Sequence, residues 1–236
     1  MTEMIIKGMT ASSFLDWDGK IVTTLFLPDC NFRCPFCHNW ELVQKPDKFK
    51  TVTLAELDRH LRSNRDFLDG VCITGGEPTI YTSLPEFIDH IKSLELEVKL
   101  DTNGSNPKLL RQILEKESVD YIAMDIKGPL DDRYSKLAGV KVDLDKIKSS
   151  IKLLMDSSID YEFRTTMVPT LLELEDLNDI AHALTGAKLF AIQQFVPKNT
   201  LSKKLRHVKP FSKEELKSIL EQIKNEFEIV TIRGLK

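Results

Sequence analysis

Three of the chain's four cysteines, Cys30, Cys34 and Cys37, fall within eight positions of the segment CNFRCPFCHNW. Three thiolates are an odd number for disulfides and one ligand short of a closed zinc cage. Spaced C-x3-C-x2-C, they can hold three irons of a [4Fe–4S] cluster and leave the fourth iron without a protein ligand. A cluster that only carries electrons normally has four protein ligands, so the open position points to chemistry at iron. Zinc is the competing reading, but His38 adjoins Cys37 too closely to offer a separate corner easily. Cys72, inside the apolar run GVCITG, reads as a small core residue.

Four other segments carry chemistry-bearing residues. In GGEP (75–78), Gly75 and Gly76 permit close approach of backbone to a ligand, Glu77 can accept from a cationic amine, and Pro78 closes the turn. Taken alone it is an ordinary turn. DTNG (101–104) places Asp101, Thr102 and Asn103 before a glycine, a turn suited to positive φ. DIKG (125–128) pairs Asp125 with Lys127 at a strand end, and FRTTMVP (163–169) holds Arg164; each in isolation is a salt-bridge element. His38 and Asn39 are placed to orient the cysteine loop. His60, His90 and His182 fall on polar helix faces and are expected in solvent. Lys203, Lys204, Arg206, His207 and Lys209 form a basic run, either a solvated loop or a partner-docking strip.

These segments have to be positioned by something. Apolar, β-branched runs at 21–28, 70–74, 96–101, 121–125, 161–168, 189–196 and 229–232 predict strands. Between them, helical periodicity marks 53–63, 83–94, 106–116, 142–158, 174–184 and 212–227. Thr53 is the expected cap of the first helix. Ser83 with Glu86 has the spacing of a capping box, with Pro85 in the first turn. The alternation implies parallel strands joined by right-handed crossovers, as in a barrel or incomplete barrel, with a doubly wound sheet as the competitor. The chain divides into an N-terminal extension (1–20) with a hairpin turn at Asp18-Gly19, a barrel core (21–200), and a closing helix and strand (201–236). The cysteine segment, GGEP, DTNG and DIKG all follow strand ends, so four remote segments meet at one rim.

Of the 236 residues, 42% are hydrophobic and 29% charged, and the formal net charge is −3. That balance builds a globular core and provides no general nucleic-acid-binding field. No signal-like leader and no apolar run of about 20 residues is apparent, so no membrane span is expected and the expected compartment is the cytoplasm, where clustered cysteines bind metal before they form disulfides.

The cysteine segment, with Phe36 before its third cysteine, resembles the signature of the radical S-adenosylmethionine (SAM) enzymes. The resemblance implies a partial (β/α)6 TIM-like barrel of α/β class. It also implies SAM chelated to the open iron through its amine and carboxylate, and reductive cleavage to a 5′-deoxyadenosyl radical. In it, GGE binds the SAM amino group. DTNG, DIKG and FRTTMVP resemble the glycyl-radical-enzyme activases. By that match Asp101, Thr102 and Asp125 help hold a monovalent cation beside the SAM carboxylate, Asn103 and Lys127 lie close to SAM, and Arg164 reaches toward its carboxylate. SFLDWDGKIVTTLFLPDCNFRCPFCHNW and AIQQFVP (191–197) look especially like the activating proteins of anaerobic ribonucleoside-triphosphate reductase. Gln194-Phe195-Val196-Pro197 lacks the histidine of pyruvate formate-lyase activases. The implied partners are a glycyl radical enzyme and a flavodoxin or ferredoxin donor. The runner-up is a small-molecule enzyme related to 7-carboxy-7-deazaguanine synthase.

Overall fold

The computed structural model describes residues 4–235. An opening strand, β1 (Gly8–Ser13), runs antiparallel to β2 (Val22–Leu27), and six further strands follow in parallel: β3 (Gly70–Gly75), β4 (Glu97–Thr102), β5 (Tyr121–Asp125), β6 (Asp160–Met167), β7 (Leu189–Gln194) and β8 (Ile229–Arg233). Spatial order equals sequence order, with β1 and β8 as the two edges. The expected six-stranded core is therefore extended at both ends, by a hairpin strand before it and by β8 after it. The hairpin connection is a loop over 14–21 rather than a two-residue turn, with Gly19 at φ +77°.

Helices cross between consecutive parallel strands: α1 (Trp40–Gln44), α2 (Leu54–Ser63), α3 (Leu84–Lys92), α4 (Pro107–Glu115), α5 (Asp132–Ala138), α6 (Leu144–Met155), α7 (Asp176–Ala183) and α8 (Lys213–Ile223). Thr53 and Ser212 each make a complete capping box, with Glu56 and Glu215 reaching back to the cap backbone. Ser83 does not. Its ψ of 2° turns it away from the extended conformation of a cap, and its side chain makes no capping bond, although Pro85 does occupy the first turn.

The main core lies between sheet and helices, where Leu25, Ile73, Leu100, Ile122, Phe163 and Ile192 meet the helices' apolar faces. A second, smaller cluster of Trp17, Val22 and Cys72 seals the N-terminal end of the barrel, so Cys72 is a packed core residue as expected. His182 is exposed, but His60 and His90 are not the solvent-facing residues expected. His60 Nε2 lies 3.0 Å from Thr23 Oγ1 under the opening hairpin, and His90 Nε2 lies 2.7 Å from Asp58 on the neighbouring helix. Polar-face periodicity cannot register a neighbouring element that lies across that face. Among the described residues, no helix is long and apolar enough to cross a membrane.

Candidate active site

Parallel strands deliver their C-terminal loops to one rim, and a cavity of about 220 Å³ opens there. Its wall takes Cys30, Cys34, Phe36 and Cys37 from the loop after β2, and Gly75, Gly76 and Glu77 from the end of β3. Asp101, Thr102 and Asn103 come from the end of β4, and Asp125 and Lys127 from the end of β5. Four segments spread over about a hundred positions of sequence thus share one wall. Two expected residues lie off it. Pro78 is buried at the start of a single 3-10 turn, and Arg164 contacts the aspartates from outside the cavity lining.

The cysteine loop is fixed from several sides. At its start, Asp29 adopts φ +58° and its carbonyl accepts from Glu77 N at 2.9 Å, while Tyr81 donates to Pro28 O at 2.8 Å. In its middle, Arg33 N donates to Ala138 O at 2.8 Å. Gly139 permits that approach, because a Cβ there would stand 2.1 Å from Arg33 O. At its end, Leu201 N donates to Cys37 O and Ser202 N to Pro35 O. His38 and Asn39 do orient the loop: the His38 ring meets Val196 O at 2.8 Å, and the Asn39 amide donates to Gly75 O at 3.0 Å. The post-β7 stretch without a histidine of its own therefore receives one from the cysteine loop.

Glu77 is buried, and its carboxylate accepts from Thr79 N, Thr79 Oγ1, Thr102 Oγ1 and Asn103 N at 3.1, 2.5, 2.7 and 2.7 Å. It ties GGEP to DTNG and leaves the glycine backbone facing the cavity. Burial raises its pKa, against the opposing effect of the hydrogen bonds it accepts. Gly76 is required by close approach: a Cβ there would stand 1.6 Å from Asp29 O, a backbone atom. Gly76→Ala should therefore separate GGEP from the cysteine loop, cost about 1–3 kcal/mol as an overpacking substitution, and weaken SAM binding. Urea unfolding and equilibrium dialysis against SAM check both effects.

Burial pushes the Cys30 thiol up to about 12, with the Glu77 carboxylate adding to the shift, and pushes Cys34 up to about 11; Cys37 is raised for the same reason. Without metal charge beside them these thiols hold their protons at neutral pH, so loading iron releases protons. Lys127 Nζ lies 3.1 Å from Asp125 Oδ2. Burial, the largest single influence, favours the neutral amine, but the neighbouring acidic groups, Asp125 first, together with the hydrogen bond to Asp125 outweigh it, so Lys127 stays an ammonium beside the cysteines. Asp125 shows the mirror case: burial would raise it, yet Arg164 and Lys127 hold it at about 2.

All four cysteines are free. Three soft thiol donors on one wall suit the three-iron attachment of a [4Fe–4S] cluster, and the polar, glycine-backed remainder of the cavity suits SAM. Among the described residues, no three His, Cys, Asp or Glu side chains converge as ligands of a single metal ion. The monovalent cation implied for Asp101, Thr102 and Asp125 does not fit. The Thr102 hydroxyl donates to Glu77 and accepts from Gly104 N, and both aspartates already face resident Lys and Arg groups.

Several lining or supporting residues escaped the reading of the sequence. Trp40 lines the cavity and donates to Asn199 Oδ1 at 3.2 Å; Thr166 lines it from β6. Lys99 and Glu162 stand two positions before Asp101 and Arg164, on the same face of their strands. That two-residue step is the signal that identifies them once one member is known to point inward.

The chain belongs to the radical SAM superfamily, whose family model matches residues 24–184. A Methanocaldococcus jannaschii protein provisionally named a glycyl-radical enzyme activating enzyme is 30% identical over 98% of this chain and 96% of its own length. The pyruvate formate-lyase-activating enzyme of Clostridium pasteurianum is 26% identical over 93% of this chain and 96% of its own. A Thermococcus kodakarensis protein provisionally named GTP 3′,8-cyclase is 26% identical over 73% of this chain and 63% of its own. Among solved structures, Streptococcus suis SuiB superposes with a TM-score of 0.64 at 17% identity, over 89% of this chain and about half (48%) of that one, a likeness of fold.

Proposed function

We propose that this chain is a cytoplasmic activase that removes a hydrogen atom from a backbone glycine of a partner glycyl radical enzyme, with anaerobic ribonucleotide reductase as the partner class. The observation that carries the reading is the end-to-end similarity to a relative named for glycyl-radical enzyme activation. The reductase branch rests on the SFLDWDGK and AIQQFVP segments and on the missing histidine at 194–197.

In this reading Cys30, Cys34 and Cys37 attach the cluster, the Gly75-Gly76 backbone, held in place by the buried Glu77, receives the amino group of SAM, and Asn103 and Lys127 bound its other side. When bound, the cluster and SAM supply reductive cleavage to a 5′-deoxyadenosyl radical. The chain's own part is positional. The Glu77 bracket fixes GGEP against DTNG, the straps to 138 and 201–202 hold the cysteine loop, and Phe36 and Trp40 narrow access for water. Lys127 keeps a fixed positive charge beside the thiolates. A flavodoxin or ferredoxin supplies the electron, and the exposed basic run at 203–209 next to the cysteine loop's strap suits an acidic donor.

The test mixes reduced protein, SAM and an anaerobic ribonucleotide reductase and records an EPR spectrum. The expected result is a persistent glycyl-radical doublet with stoichiometric 5′-deoxyadenosine. SAM cleavage without a doublet on any glycyl radical enzyme would favour a second reading, a small-molecule radical SAM enzyme such as a 7-carboxy-7-deazaguanine synthase relative. The similarity to proteins named for GTP cyclisation favours that alternative.

A further inference from the structure

The two cavity aspartates carry four carboxylate oxygens, and each of the four faces a cation supplied by the chain. Lys99 Nζ lies 3.4 Å from Asp101 Oδ1, and Arg164 Nη1 lies 3.3 Å from Asp101 Oδ2. Arg164 Nε lies 2.8 Å from Asp125 Oδ1, and Lys127 Nζ lies 3.1 Å from Asp125 Oδ2. Asp101 Oδ1 makes no hydrogen bond, so the Lys99 ammonium is its charge partner. Three cations thus stand against Asp101, Asp125 and the adjoining Glu162, whose Oε1 is 3.9 Å from Arg164 Nη1. The set is locally balanced without an added ion.

Lys99 is an unusual place for a lysine. It is 4% exposed, projecting inside the barrel two residues below Asp101. A buried ammonium is tolerated only with partners for its charge and its donors. Besides Asp101, it donates to the carbonyl of Asp16 in the loop that closes the barrel's far end, and it sits 5.7 Å from the centre of the Tyr121 ring. The inward face of β6, one strand beyond β5, carries Glu162 and Arg164, and Glu162 is held in turn by Arg233 at 2.7 and 2.8 Å. The lumen below the cavity is therefore a built ion-pair network rather than an open pocket.

We propose that Lys99 is this chain's built-in monovalent cation: together with Arg164 it fills the positions on Asp101 and Asp125 that an alkali-metal ion would take, so the site needs neither sodium nor potassium. An ion placed there would face an ammonium and a guanidinium at contact distance, and its carboxylate ligands are already neutralised. Lys99 acts as a positioning residue. It touches neither SAM nor substrate and sets the Asp101 carboxylate at the cavity wall.

The inference rests on SAM occupying this cavity, and its test is arranged in two parts. In the first, SAM affinity of the anaerobically reconstituted protein is measured by equilibrium dialysis in potassium, sodium or choline chloride at one ionic strength. Dissociation constants within twofold of one another are expected; a fivefold or greater tightening by potassium or sodium over choline overturns the proposal. Lys99→Met keeps the buried stem and removes the charge. It should weaken SAM binding about tenfold in choline, with potassium restoring most of the loss. A variant that is weakened but not restored by either alkali ion would make Lys99 a packing residue and overturn the proposal. In the second part, the thermal midpoint of the unmodified protein is recorded in the same three salts without SAM. Equal midpoints are expected, and a saturable rise with potassium or sodium overturns the proposal even if no SAM binds, a result that would itself refute the proposed function. The wild-type measurements decide the matter if the variant does not fold.

Discussion

Cys34→Ala should abolish SAM cleavage, lowering 5′-deoxyadenosine formation on the order of 100-fold or more, because even residues that merely support a metal ligand cost 10–100-fold when replaced. Cys34 is the central of the three cavity cysteines, and it is 7% exposed within the main core. Its carbonyl accepts from Cys37 N at 3.0 Å, so the second and third cysteines share one turn. The backbone that makes this turn does not depend on the Cys34 thiol: Arg33 N holds to Ala138 O and Ser202 N to Pro35 O on either side of it. Alanine should therefore leave the fold and the loop path intact and remove one iron attachment. The measurements are iron and sulfide content after anaerobic reconstitution, the cluster's visible absorption, and product yield with dithionite and SAM. Circular dichroism and urea unfolding should match the parent protein to within about 2 kcal/mol, the cost of losing one small buried group. Retained SAM cleavage by a folded variant with fewer than three thiols would remove the assignment of the cluster to this loop.

The strands were legible because parallel, doubly covered strands are written as nearly continuous apolar runs. The run at 121–125 coincides with β5, and 70–74 falls one residue short of β3. The helices α1 and α5, of five and seven residues, are too short for a three-to-four-residue period to show. Ser83 shows the limit of motif spacing: the right residues stand at the right interval, but the chain arrives with ψ near zero and the hydroxyl cannot reach its target. In the site, the cysteines announced themselves through spacing alone. GGEP, DTNG and DIKG became informative only through the shared position at strand ends, which is a property of the topology. The charged lumen was hidden because Lys99, Glu162 and Arg233 in a strand read as solvent-facing until their strand's inward face is known. Glu77 illustrates a further loss: the sequence offers a carboxylate for a ligand, and only the fold reveals that four protein donors already engage it.

Arg164→Ala should destabilise the protein by about 3–5 kcal/mol, the cost of breaking a buried ion-pair set by removing one partner. The guanidinium is almost wholly enclosed and is shared by Asp101, Asp125 and Glu162 at 3.3, 2.8 and 3.9 Å. Each carboxylate keeps one other cation, Lys99, Lys127 and Arg233 respectively, so the loss is one positive charge shared by three buried carboxylates and not the orphaning of any one of them. Arg164→Lys should recover only part of the stability, since one ammonium cannot span two carboxylates as the guanidinium fork does. The effect also has a pH signature. Arg164 and Lys127 depress Asp125 to about 2 from an ordinary 3.8, so its contribution is fully present above about pH 4 and is lost as pH falls through 2. Removing Arg164 moves Asp125 back toward its ordinary value. The stability gap between parent and variant should therefore be constant from pH 7 to 5 and close progressively below pH 4. Glu77 contributes in the opposite sense: its raised pKa makes its charged form a cost at neutral pH that protonation relieves, equally in both proteins, so it cancels from the difference. Urea unfolding of both proteins across this range measures the gap directly. A gap of less than 1 kcal/mol at pH 7, or one that widens on acidification, would mean that Arg164 is not the charge partner of the two aspartates.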